Sequence, residues 1–215
     1  VIDGVIDYDA QSEASGDKNL WTEQSFGDFI LRLDWRFKRT TGEYPMPIVL
    51  PDCTEKTDED GKVIKIPTPN ADSGIFLRGT GKAQVNLWCW PVGSGELWSY
   101  RKPQSTPDVR AGATPKVRAD KPVGQWNRFE ITMKGDRVTI VLNGKTVIDN
   151  AQMPGVPESG PIGLQHHGGL LSDRQRDAVY GRTGTDPYVT ICTFHPMYSY
   201  EDFIEAMIDE EVTVA

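Results

Sequence analysis

Three short runs of strict two-residue alternation constrain this chain more than any other feature. In Ser73–Gly79, Ile75 and Leu77 alternate with Phe76 and Arg78. In Ala83–Trp90, Val85, Leu87 and Cys89 alternate with Gln84, Asn86 and Trp88. In Pro161–Gly168, Ile162, Leu164 and His166 alternate with Gly163, Gln165 and His167. Successive side chains of a strand point to opposite faces, so a period of two marks a half-buried strand. Placed side by side in one sheet, the runs make one apolar face. The other face gathers Arg78, Gln84, Asn86, Trp88, Gln165 and His167. Amides, a guanidinium, an imidazole and an indole on one surface suit an oligosaccharide or glycoside. Its hydroxyls need donors and acceptors, and its ring needs a flat apolar partner.

The rest of the chain agrees with a β-protein. Phe29–Phe37 is the clearest strand, with Phe29, Leu31, Leu33, Trp35 and Phe37 on one face and Arg32, Asp34 and Arg36 on the other. Asn143–Gly144 separates Arg137–Leu142 from Lys145–Asp149 and is the strongest hairpin signal. With 21 glycines and 15 prolines among 215 residues, turns are frequent and long helices scarce. The length suits one sizeable core, and no internal repeat is present. The expected fold is therefore all-β, an antiparallel sandwich or jelly roll. Several segments carry finer expectations. Lys38–Asp72 reads as an inserted hairpin, and Asp58–Gly61 within it as a solvated acidic turn, since it lacks the rest of a calcium loop. Glu96–Tyr100 reads as a strand with Glu96 in solvent, as for Glu130. Arg101–Pro122 reads as a loop over the sheet edge or the mouth of the site. Tyr188–Phe194 reads as a closing strand, and Ser199–Glu211 as a short C-terminal amphipathic helix.

The formal net charge of −8 argues against nucleic acid as a partner, because phosphate backbones demand a basic face. No run is long enough to be a membrane span. Val1–Gly4 is not a signal peptide and resembles the middle of a strand and turn. The three cysteines, Cys53, Cys89 and Cys192, match no zinc or redox spacing.

An ordered set of motifs carries a resemblance. It comprises Leu20–Gln24, Gly27–Arg36, Asn70–Gly79, Gly124–Ile131 with Trp126 and Asn127, Leu142–Gly144, and Gly160–Gly168. The series resembles the 3-keto-disaccharide hydrolase domain family, whose fold is a concanavalin A-like antiparallel β-sandwich. The resemblance covers Val1–Gly168, read as the jelly-roll domain without its first strands. Residues 169–215 are then an extension with a closing strand and short helix. It implies a bacterial exported protein, in the periplasm or outside the cell.

The activity implied is cleavage of glycosides already oxidised to a ketone at the third carbon. The ketone acidifies the proton on the second carbon. Its removal gives an enolate that expels the aglycone from the first carbon, and water then adds to the enone. Such a site needs a base near neutral pKa and a group that stabilises the enolate. On the resemblance, His167 is the base, and Arg78 or a divalent cation such as calcium or manganese is the stabiliser. Gln84, Asn86 and Gln165 hold hydroxyls and Trp88 stacks on the sugar. Asp34 and Arg36 join if their strand lies beside this face. Arg78 has a structural alternative, an ion pair with Asp34, and Trp88 has one in plain packing. The family often carries a glutamate where Gln84 stands, and an amide cannot serve as a base. A non-catalytic carbohydrate-binding module is the competing function for such a face. A two-carboxylate glycosidase ranks last, because its acidic strand motif is absent.

Overall fold

The computed structural model describes residues 6–7, 19–40, 42–166, 192–195 and 212–213. Two antiparallel sheets face each other across one core. The larger takes β1 (Ile6–Asp7), β12 (Cys192–His195), β3 (Phe29–Phe37), β8 (Asn127–Lys134), β9 (Arg137–Leu142) and β10 (Lys145–Gln152) in that spatial order, and β13 (Val212–Thr213) also pairs with β3. The smaller has the order β2 (Leu20–Phe26), β11 (Gly160–Leu164), β6 (Asp72–Leu77), β7 (Thr80–Trp88). The all-β antiparallel expectation holds. The expected closing strand is β12 at its C-terminal end; the expected helix at Ser199–Glu211 lies outside the described residues.

The alternation sets the core. Ile75, Leu77, Val85, Leu87 and Ile162 point inward from the smaller sheet and are almost wholly buried. Phe29, Leu31, Trp35, Phe129, Ile131, Met133, Ile140 and Leu142 meet them from the larger. Each fully buried side chain of this size contributes about 1.5–3 kcal/mol of apolar burial. On the solvent side of β3, Arg32 stands opposite Glu130 and Asp34 opposite Arg128, and both pairs form ion bridges of 2.7 Å.

Asn143–Gly144 turns β9 into β10 with φ of 51° and 79°, the two-residue turn expected. A second turn of this kind was not foreseen. Arg78 and Gly79 have φ of 52° and 70° and join Leu77 to Thr80. Arg78 is thus a turn residue and not part of the strand's pleat.

The segment expected as a loop, Arg101–Pro122, contains structure. After Gly93 and Gly95, at φ of 88° and 100°, the chain makes two backbone bonds to Asn86 and leaves the edge of β7. It then forms one helical turn, α1 (Trp98–Arg101), where a strand was expected. A second helix follows, α2 (Pro107–Gly112), capped by the Thr106 hydroxyl with Pro107 at its first turn. Leu97, Tyr100, Val109 and Ala113 join the core. Helix α1 packs on β7 and α2 on β10, so the segment closes the gap between the free edges of the two sheets.

The insertion is a hairpin, β4 (Glu43–Pro47) with β5 (Lys65–Pro69). Its acidic turn satisfies itself: Asp58 accepts bonds from the backbone of Asp60 and Lys62. Among the described residues no helix is long and apolar enough to cross a membrane.

Candidate functional site

The outward face of the smaller sheet is built around two glycines. Register places Phe76 beside Gln84, Gly74 beside Asn86, and Gly163 beside Phe76. A Cβ on Gly74 would sit 2.2 Å from Nε2 of Gln84. Because none is there, the Gln84 side chain lies across β6 and donates to Oε1 of Gln165 at 2.6 Å. A Cβ on Gly163 would meet the Trp21 ring at 2.5 Å. In its absence Trp21 lies over β11 and stacks on Phe76, with centroids 5.4 Å apart and planes 20° apart. Missing side chains on two central strands thus let side chains from two outer strands lie flat across the sheet.

Gln165 is held on both sides of its peptide. Its N–H donates to the Gly74 carbonyl and its own carbonyl accepts the Ser73 hydroxyl. The amide pair leaves the Gln84 carbonyl oxygen and the Gln165 amide nitrogen for a ligand hydroxyl, next to the Trp21–Phe76 surface. Both glutamines are partly exposed. Neither can take up a proton, so these groups bind and orient.

The other expected residues have different places. Asn86 shares the face but is buried. Trp88 is also on this side and buried; its indole N–H donates to Gly93 O, and it stacks against Trp90 at 3.9 Å. Its role is packing, and the aromatic surface beside the amides is Trp21, which sequence reasoning left out. Arg78 turns away from the amide pair. Its guanidinium donates to the carbonyls of Gly27, Gly135 and Pro157 and pairs with Asp28 at 3.1 Å. Burial lowers its pKa from the ordinary value, against the pull of Asp28. These bonds tie loops together, with Asp28 in the place expected for Asp34, and they occupy the guanidinium expected to stabilise the enolate. Asp34 and Arg36 lie on β3 in the opposite sheet, where Asp34 holds Arg128 and Arg36 stacks on Trp126. Their strand is not beside this face. His167 lies outside the described residues. His166 is half-buried and its N–H donates to Asn19 Oδ1.

Glu96 was expected in solvent and is fully buried, ion-paired with Arg101. Burial pushes its pKa up to about 8, against the attraction of Arg101. Its apolar neighbours Leu97 and Trp98 were the available signal. Glu130 is half-buried at the residue level, with its side chain on the solvent side of β8 bridged to Arg32. Among the described residues no three His, Cys, Asp or Glu side chains converge to hold a metal ion.

The model of the 3-keto-alpha-glucoside-1,2-lyase-like domain matches residues 1–176, and the chain belongs to that family. No curated protein matches it significantly. Among solved structures it is similar to a candidate glycosyl hydrolase from Parabacteroides distasonis, at 19% identity and a TM-score of 0.48, covering 82% of this chain and 65% of that one. The chain thus spans just under two thirds of that structure's length. It is also similar to the carbohydrate-binding module CBM66 from Bacillus subtilis, at 15% identity and a TM-score of 0.40, covering 83% and 80%.

Proposed function

We propose that this protein cleaves 3-keto-glycosides on the outward face of the smaller sheet. The observation that carries the reading is the Gln84–Gln165 amide pair lying over Gly74 beside the Trp21–Phe76 stack. The keto-sugar lies on the indole, and the two amides hold its hydroxyls. A base removes the proton from the second carbon, and the electron pair passes into an enolate on the third-carbon ketone. Collapse of the enolate expels the aglycone from the first carbon, its oxygen taking the proton held by the base, and water then adds across the enone, hydroxyl to the first carbon and proton to the second, to give the free keto-sugar. His167 is the proposed base, because an imidazole titrates near neutral pH and because it follows Gln165 by two positions. Incubation with a 3-keto-glucoside and assay of aglycone release tests the reading. Release with the native chain and loss of about 10²-fold or more in His167→Ala is expected. Full turnover by His167→Ala removes the histidine from the mechanism.

One observation favours a second reading, a sugar-binding module without turnover. The two groups that meet on this face are neutral amides, which bind hydroxyls but move no protons. Retained binding of a glucoside with no aglycone release from the keto-substrate would select that reading.

A further inference from the structure

The strand that carries Gly74 also carries a charge on the same side. Within β6, Asp72, Gly74 and Phe76 alternate with Ser73 and Ile75, and the pairing with β7 is regular from Asp72–Trp88 to Phe76–Gln84. Ser73 and Ile75 are wholly buried, so Asp72 stands on the outward side with Gly74. It is half-buried. Asp72 and Gly74 are consecutive on this side of the strand, about 7 Å apart. Gly74 has no side chain, and the Gln84 amide lies over it. A ring resting on the Gln84–Gln165 pair therefore meets the Asp72 carboxylate next along β6.

Aromatic rings flank this carboxylate. Its neighbour on β7 is Trp88, and Trp90 stacks on that indole at 3.9 Å with planes 9° apart. Trp90 is half-buried, and its indole N–H donates to the Tyr44 hydroxyl of the insertion. The cations of the neighbourhood are engaged elsewhere. Arg78 holds loop carbonyls and Asp28, and Arg36 is on the opposite sheet. Lys82 is turned to the Pro154 carbonyl and the Tyr100 ring, and Arg101 is committed to Glu96. The charge of Asp72 is felt across the face: after burial, and against the attraction of Arg101, it is a further cause of the raised pKa of Glu96.

We propose that Asp72 is a specificity-determining residue of the sugar site: its carboxylate accepts hydrogen bonds from two adjacent hydroxyls of the ring and repels a ring that carries an acid. The inference rests on the sheet face as the sugar site and deepens it by naming the substrate class, neutral glycosides and not uronides. An ionised carboxylate has room for two donors and makes stronger bonds than an amide does. The same charge, half removed from water, penalises a second carboxylate brought beside it.

Calorimetry with unoxidised ligands tests this apart from turnover. The probes are methyl glucoside and methyl glucuronide, which differ only in a hydroxymethyl group against a carboxylate. The native chain should bind the glucoside about tenfold or more tightly at low salt. The ratio should fall towards one in Asp72→Asn, and high salt should narrow it in the native chain. Gln84→Ala should weaken both ligands and keep the ratio, a pattern that a general loss of the site would not separate from Asp72→Asn. Equal affinity for the two ligands in the native chain overturns the proposal, as does a preference that survives in Asp72→Asn. Should Asp72→Asn fail to fold, Asp72→Ser reads out the same ratio. Failure of the lyase reading looks different: the glucoside is preferred through Asp72 but no 3-keto-glucoside is cleaved. Cleavage by a native chain that binds both ligands equally sinks the Asp72 proposal alone.

Discussion

The outward faces of the two sheets are made by opposite means. On the larger sheet, charged side chains stand up from the pleat and meet directly across strands, Arg32 with Glu130 and Asp34 with Arg128. On the smaller sheet, Gly74 and Gly163 remove side chains from the central strands, and Gln84 and Trp21 lie down in the vacated space. The first face is solvated and its pairs are individually weak. The second is preorganised, since two amides bonded to each other and a ring pinned by a stack lose little freedom when a ligand arrives. A row of ion pairs keeps a surface wet, whereas glycines beneath long side chains make a shelf.

Substitutions can break or sharpen this contrast. Arg78→Ala should have the largest effect, because it strips three loop carbonyls and Asp28 of their partner. Losing one side of a buried charged network costs about 3–5 kcal/mol, visible as a large fall in denaturation midpoint. A stable Arg78→Ala that has lost only turnover would return the guanidinium to the reaction centre. Gly163→Ala comes next, since its Cβ would strike the Trp21 ring. Overpacking of this sort costs about 1–3 kcal/mol, and near-ultraviolet circular dichroism should report a displaced indole. An unchanged spectrum would mean that the shelf does not depend on the missing side chain.

A pH series sharpens the contrast at the edge of the smaller sheet. Burial pushes the folded Glu96 carboxyl up to about 8, from 4.5 for an ordinary glutamate in the unfolded chain. The folded state then holds a proton that the unfolded chain has released, so this group's contribution to stability falls as pH rises from about 4.5 through about 8, and levels off above. Glu96→Gln should fall less steeply with pH than the native chain across that window. Parallel melting curves would contradict the buried assignment. Smallest of all should be Arg32→Ala on the larger sheet, costing about 0.2–1 kcal/mol and leaving sugar affinity unchanged.

Much of this architecture was legible in the chain. Period-two alternation separated Ile75, Leu77, Val85 and Leu87 from Gln84 and Asn86, because side-chain direction in a strand follows from parity alone. Asn143–Gly144 was legible because asparagine and glycine tolerate the left-handed backbone a tight hairpin needs. Arg78 was misplaced for the converse reason. Arginine has no such preference, and its four acceptors come from parts of the chain far apart in sequence. Trp21 escaped for lack of register, since nothing local says that an indole will cross Gly163; Glu96 had a local hint in Leu97 and Trp98, but its partner Arg101 depends on the helical turn that follows. Parity shows which side a residue takes; strand order decides what it meets there.

Binding of an unoxidised glucoside to two double variants compares the faces most directly. Gln84→Ala with Gln165→Ala dismantles the amide pair on the smaller sheet; Asp34→Ala with Arg36→Ala clears part of the charged face on the larger. The first should weaken the isotherm by about tenfold or more and the second should leave it unchanged. Weakened binding in the Asp34 and Arg36 variant, with full affinity retained in the glutamine variant, would put the sugar on the wrong side of the sandwich.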